Sequence, residues 1–224
     1  MLIIFDLDDT LIDTSGCITP IQLESALQHM MTAGLAISDE TEALDLLKRL
    51  DQTADSARSS LSEFLDIMDG KEQFYSIGEK VIYGDFPSDI VILPLDDVTE
   101  ILSELKETHQ LALVTVGEKD LQFKKMEKAG IDSSIFSKII VSRDRNKKPH
   151  YQAIMEELCS TPQETVVCGD RVTIDLAPAK ELGCKTIHVR WGRGRGYHPV
   201  ANSKADVDFA VTEFKHIKDI VAGL

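Results

Sequence analysis

Five short apolar runs, at residues 2–5, 111–116, 138–142, 165–168 and 186–191, constrain the fold of this chain more than any other feature. They are rich in Val, Ile and Leu, and nearly continuous where a half-exposed strand would alternate. Such runs suit strands covered on both faces, as in the interior of a parallel sheet. Helical patterns separate the later ones. Residues 94–108 begin with Pro94 and acids and place Val98, Ile101, Leu102 and Leu105 on one face. A second pattern covers 118–129 and stops at Gly130; others cover 149–159 and 174–182, the last stopped at Gly183. Strands alternating with helices predict an α/β fold, a Rossmann-like parallel sheet flanked by helices.

Residues 15–88 break this rhythm. They hold helical patterns at 20–33, 39–50, 55–68 and 71–83, with good helix starts at Thr19-Pro20 and Ser38-Asp39, and no strand-like run. The expected organisation is a core domain of residues 1–14 and 89–224, with a four-helix domain, 15–88, inserted after the first strand. The insert has 5 basic and 13 acidic residues, so it carries −8 of the net charge of −14. That charge argues against a general nucleic-acid binder and against an anionic membrane surface. The longest apolar runs, such as Ile90-Val91-Ile92-Leu93, are far too short to span a bilayer, and the N-terminus has no secretory pattern. Cys17, Cys159, Cys168 and Cys184 show no CxxC or zinc spacing, and the six histidines show no paired metal spacing. Reduced thiols and a cytoplasmic location are therefore expected.

In open α/β sheets, ligands bind beyond the carboxyl ends of the strands. The first run is followed by Asp6 and Asp8, then Thr10; the second ends in Thr115-Val116-Gly117; Asn146-Lys147-Lys148-Pro149 follows the third. The fourth runs into Gly169-Asp170, with Asp175 five residues on. Carboxylates, a hydroxyl and a lysine thus converge on one edge from four chain segments.

These residues carry a resemblance. DLDDT (6–10), Thr115, Lys148-Pro149 and GDRVTID (169–175) are similar, in order and in placement, to the four motifs of the haloacid dehalogenase (HAD) superfamily. The helical insert resembles the α-helical cap of the subclass containing phosphoglycolate phosphatase and β-phosphoglucomutase. The step from Thr115 to Lys148, 148 − 115 = 33 positions, leaves no room for the alternative cap that other subclasses carry there.

The resemblance implies a phosphatase acting on a small phosphorylated metabolite, with a mobile cap that closes over it. Asp6 would be the nucleophile that forms an aspartyl-phosphate. Asp8 would protonate the leaving group and then deprotonate water. Thr115 would bind a phosphoryl oxygen, and Lys148 would hold Asp6 and the transferred group. The family pattern places Pro directly after the lysine, which favours Lys148, with Lys147 as the alternative. Asp6, the backbone carbonyl of Asp8, Asp170 and Asp175 would bind Mg²⁺, a hard cation suited to oxygen ligands. The crowding of four acids with a phosphate requires both the cation and a proton on Asp8. Asp9 and Asp13 are expected to face outward or to shape the passage into the cap. The carboxylate at Asp8 disfavours dehalogenation, leaving a phosphomutase as the alternative enzyme and a non-catalytic binding module as the alternative class.

Two basic stretches lie after strands: 143–148, and the acid-free 185–204 with Lys185, Arg190, Arg193, Arg195 and Lys204. Two readings stand for them: solvated basic loops that point away from the site, or a local positive field that draws anionic substrate toward an acidic protein. GRGRG (192–196) lacks the GxGxxG spacing and a following helix, so no dinucleotide site is expected. Arg49, Arg58, Lys71 and Lys80 are the cap cations from which substrate contacts could come.

Overall fold

The computed structural model describes residues 1–54, 56–70, 72–196 and 207–224. Lys71, and the part of the basic stretch holding His198 and Lys204, lie outside the described residues, as does Asp55 at the start of the third expected insert helix.

Six parallel strands form one sheet: β1 (Leu2–Phe5), β2 (Gln110–Val116), β3 (Lys138–Ser142), β4 (Thr165–Gly169), β5 (Lys185–Val189) and β6 (Phe209–Val211). Their order is β3-β2-β1-β4-β5-β6. Strand β1 lies in the middle, with Ile4 in register with Ala112 on one side and Val167 on the other. The chain builds outward from β1 in one direction through β2 and β3, then returns to build in the other through β4. That reversal opens a crevice at the carboxyl ends of β1 and β4.

Helices and strands alternate after the insert: α6 (Val98–Lys106), α7 (Lys119–Lys128), α8 (Lys148–Glu157), α9 (Ala177–Leu182) and α10 (His216–Ala222), following the five helices of the insert. All four residues of β1 are fully buried, as near-continuous apolar runs demand. Leu2 and Ile4 pack with Val114, Tyr151, Ile154 and Val167 on one face of the sheet. On the other, Phe5 meets Phe214 with ring centroids 6.0 Å apart. Burying each such side chain stabilises the fold by about 1.5–3 kcal/mol.

The chain divides into two compact units, Met1–Asp13 with Val91–Leu224, and Thr14–Ile90. The second is all helical: α1 (Thr14–Cys17), α2 (Thr19–Thr32), α3 (Glu40–Thr53), α4 (Ala57–Ile67) and α5 (Glu72–Ile82). It has its own core, including Leu27, Met30, Leu47, Leu61 and Phe64. Asp39 and Ser56 cap α3 and α4 by accepting from the Glu42 and Ser59 amides, satisfying donors that no helix turn can reach.

The sequence patterns did not predict β6 or α10. β6 is three residues long, only Val211 of it is buried, and it lies at the sheet edge, so it carries almost no apolar signal. The expected helix at 174–182 divides into a π-helical turn, Val172–Leu176, and α9. Helix α6 starts at Val98 rather than Pro94, because Asp97 adopts a left-handed φ of 65°. Among the described residues, no helix is long and apolar enough to cross a membrane.

Candidate active site

Asp6 follows β1 directly and extends its ladder by one bond, the Asp6 amide donating to the Cys168 carbonyl at 3.0 Å. Its carboxylate meets a buried lysine, and that lysine is Lys147. The Lys147 ammonium lies 2.6 Å from Asp6 Oδ1, 2.6 Å from Asp175 Oδ1 and 2.9 Å from the Val114 carbonyl oxygen. The ammonium thus donates to Asp6 and the Val114 carbonyl and forms an ion pair with Asp175, and the side chain is 1% exposed.

Lys148, which the Lys-Pro step favours, does not reach Asp6 and points to the surface. Its side chain is 39% exposed and pairs with Glu181 Oε2 at 2.7 Å. Successive residues at a helix start point about 100° apart, so only one of two adjacent lysines can enter the core. The buried face of α8 is Tyr151, Ile154 and Met155. Extending that face back four residues from Tyr151 reaches Lys147, a signal already present in the sequence.

Asp170 follows β4, and Asp175 comes from the π-helical turn behind it. Each of Asp6, Asp170 and Asp175 has a carboxylate oxygen within 4.8 Å of the others'. A Cβ on Gly169 would fall 2.5 Å from Asp175 Cβ, so this approach requires glycine there. Asp175 is held on three sides: Oδ2 accepts from the Arg171 amide at 2.9 Å, its carbonyl accepts from the Tyr151 hydroxyl at 3.1 Å, and Oδ1 faces Lys147. His188, buried in β5, sets the Asp170 backbone by donating from Nε2 to its carbonyl at 3.0 Å.

Burial raises the pKa of Asp6 to about 7; Lys147 opposes this, while Asp175 and Asp8 add to it. Burial also pushes Asp170 well above the usual carboxylate range, reinforced by Asp175, Asp9 and Asp6. For Lys147 burial alone would favour the neutral amine, but Asp175 and Asp6 outweigh it and hold the ammonium well above its ordinary value. Three buried carboxylates therefore face one buried ammonium. Their all-oxygen donor set and uncompensated negative charge fit a hard divalent cation.

Asp8 lies outside this cluster. Its carboxylate accepts from Gln122 Nε2 at 2.9 Å on Oδ2 and from Lys125 Nζ at 2.7 Å on Oδ1. Both of these groups are donors, and the Asp8 charge also acts on Asp6, the acidic neighbour that the sequence suggested. Thr115, at the end of β2, is fully buried, and its hydroxyl accepts from the same Gln122 amide at 2.6 Å. The sequence reading missed Gln122 and Lys125. Gln122 stands four residues before Met126, the other buried residue of α7, and a polar side chain on an inward helix face needs a partner.

Asp9, expected to face outward, is 4% exposed and adopts a left-handed φ of 56°. Its charge acts on Asp170. Asp13 accepts from the Trp191 indole at 2.8 Å, and the Arg195 guanidinium stacks 4.1 Å above the Trp191 ring. GRGRG forms a 3₁₀ turn after β5, where a Cβ on Gly194 would fall 2.6 Å from the Asp170 carbonyl oxygen. The motif therefore packs behind the acid cluster. Arg143 is tied to Glu118 at 2.7 Å, which offsets part of the positive field that one reading gives the basic stretches.

Fold and site together define a Rossmann-like α/β protein built around a carboxylate cluster at its sheet switch point. Residues 3–189 match the model of the haloacid dehalogenase-like hydrolases, and the chain belongs to that family. A glyceraldehyde 3-phosphate phosphatase of Methanocaldococcus jannaschii is 29% identical over 99% of this chain and 97% of its own. A HAD phosphatase structure from Thermococcus onnurineus covers 99% of this chain and 98% of its own, with a TM-score of 0.62 at 19% identity. A Bacillus subtilis protein described as a HAD hydrolase and bound to magnesium gives 0.64 at 15% identity, over 99% and 98%.

Proposed function

We propose that the chain hydrolyses a small-molecule phosphate monoester through an aspartyl-phosphate on Asp6, with Mg²⁺ held by Asp6, the Asp8 backbone carbonyl, Asp170 and Asp175. The observation that carries this reading is the separation of two carboxylates from one strand end into different environments. Asp6 faces a buried ammonium within an acid cluster, whereas the Asp8 carboxylate accepts from Gln122 and Lys125. Two titratable groups placed in unlike surroundings can divide nucleophile and acid–base duties.

Lys147 stabilises the ionised Asp6 carboxylate, which attacks phosphorus as the ester oxygen departs. Asp8 gives that oxygen a proton, then takes one from the water that attacks the acyl phosphate, releasing inorganic phosphate and restoring Asp6. Thr115 donates its hydroxyl proton to a phosphoryl oxygen. When bound, the cation neutralises phosphoryl charge and the mutual repulsion of its carboxylate ligands. The helical unit Thr14–Ile90 is the insert that this reading makes the cap.

The M. jannaschii relative makes three-carbon phosphates the first substrates to test, glyceraldehyde 3-phosphate among them. Phosphate release would be measured on a panel of triose, sugar and nucleoside phosphates with Mg²⁺, using Asp6→Asn as the control. Release by wild type and none by Asp6→Asn is expected. Isomerised sugar phosphate without free phosphate would assign a mutase instead, and no turnover of any ester would refute the hydrolase reading.

A further inference from the structure

We infer that Gln122 and Lys125 are positioning residues, a two-armed clamp on α7 that aims Asp8 at the leaving-group oxygen and sets the Thr115 hydroxyl. The inference rests on Asp8 being the acid–base group and Thr115 the phosphoryl ligand.

The two residues stand three apart and so share a helix face. Each takes one oxygen of the same carboxylate, Gln122 at 2.9 Å and Lys125 at 2.7 Å. A carboxylate held at both oxygens from one rigid helix has its torsions restricted, the precision that proton transfer to a departing oxygen requires. The arms differ in character. Gln122 is 2% exposed, whereas the Lys125 side chain is 15% exposed. Gln122 is the fixed arm, and Lys125, nearer solvent, is the arm that can give way as the proton moves.

Gln122 also links two motifs. An ionised carboxylate only accepts, so the amide end facing Asp8 must be the NH₂ group. That same nitrogen lies 2.6 Å from Thr115 Oγ1, making the hydroxyl an acceptor there. The Thr115 proton is then left to donate elsewhere, toward a phosphoryl oxygen. One buried amide thereby orients both the proton donor and the phosphoryl-binding hydroxyl.

The test uses leaving groups of different basicity, since a general acid matters most when the departing oxygen is strongly basic. Wild type, Gln122→Met, Lys125→Met and Lys125→Arg would be assayed with p-nitrophenyl phosphate and with glycerol 1-phosphate, resolving kcat from KM. Each Met variant should lose at least about tenfold more kcat on the alkyl ester than on the aryl ester. Lys125→Arg, which keeps a cationic donor, should recover most of that difference. In an Asp8→Asn background, Lys125→Met should cost nothing further on the alkyl ester, because the group it aims is gone. Equal losses on both esters, no recovery in Lys125→Arg, or additive losses with Asp8→Asn would overturn the clamp. If Gln122→Met fails to fold, the Lys125 series alone decides. A wild type inert toward both esters would instead overturn the hydrolase reading and this inference with it.

Discussion

Replacing Lys147 with methionine separates the two adjacent lysines by stability as well as by activity. Lys147 is 1% exposed, pairs with Asp6 and Asp175 and donates to the Val114 carbonyl. Methionine keeps most of the volume but leaves two buried carboxylates without their counter-charge. Breaking a buried pair in this way costs about 3–5 kcal/mol. Lys148, by contrast, is 39% exposed and pairs with a Glu181 that is 63% exposed. A pair of that kind contributes about 0–1 kcal/mol, so Lys148→Met should sit near wild type. The cost at Lys147 also depends on pH. Asp6 titrates at about 7, so in acid it is already neutral and loses little when the ammonium is removed. Urea unfolding without divalent ions, at about pH 5.5 and about pH 8, should show the larger loss at the higher pH. Turnover of p-nitrophenyl phosphate should vanish in Lys147→Met and persist in Lys148→Met. Greater damage from Lys148→Met, or an equal cost of Lys147→Met at both pH values, would refute this role for Lys147.

Further outcomes follow from the same geometry. The folded pKa of Asp6, about 7, lies above its unfolded value of 3.8, so the folded state binds the extra proton between them. Its contribution is fully present below the unfolded value and is lost as pH rises through about 7, a change on the order of 4 kcal/mol. In chelator, the thermal midpoint should therefore fall from about pH 5 to about pH 8, and Mg²⁺ should raise it more at the higher pH, where its ligands are ionised. An Mg²⁺ shift independent of pH would contradict this. Gly169→Ala forces a Cβ to within 2.5 Å of Asp175 Cβ, so it should weaken Mg²⁺ binding measured by calorimetry at least about tenfold; unchanged affinity would mean that the loop yields freely. Trp191→Phe removes the indole donor to Asp13 while keeping an aromatic platform under Arg195, and should cost about 1 kcal/mol in urea unfolding.

The amino-acid pattern alone sufficed for the α/β architecture and for the strand edge at which the candidate site residues gather. Long-range order was legible because fully buried parallel strands read as apolar runs, and because ligands collect where such strands end. β6 was not, since a three-residue edge strand with one buried side chain leaves too little pattern. Asp6, Thr115, Asp170 and Asp175 could be named because each sits on or just beyond a strand, or on the turn that follows it, where local register settles which way the chain leads. Side-chain direction at the start of a helix is a different matter. A rotation of about 100° per residue decides whether Lys147 or Lys148 enters the core, and the tertiary packing of Tyr151, Ile154 and Met155 sets that rotation. Asp9 was misplaced for a similar reason, its left-handed backbone turning inward a charge that composition alone would send to water. Gln122 and Lys125 lie more than a hundred residues from Asp8 in the chain, and no local pattern links them. Only the tertiary packing of α7, which lies against β3, brings two donors to one carboxylate, because hydrogen bonds depend on positions in space that sequence separation does not encode.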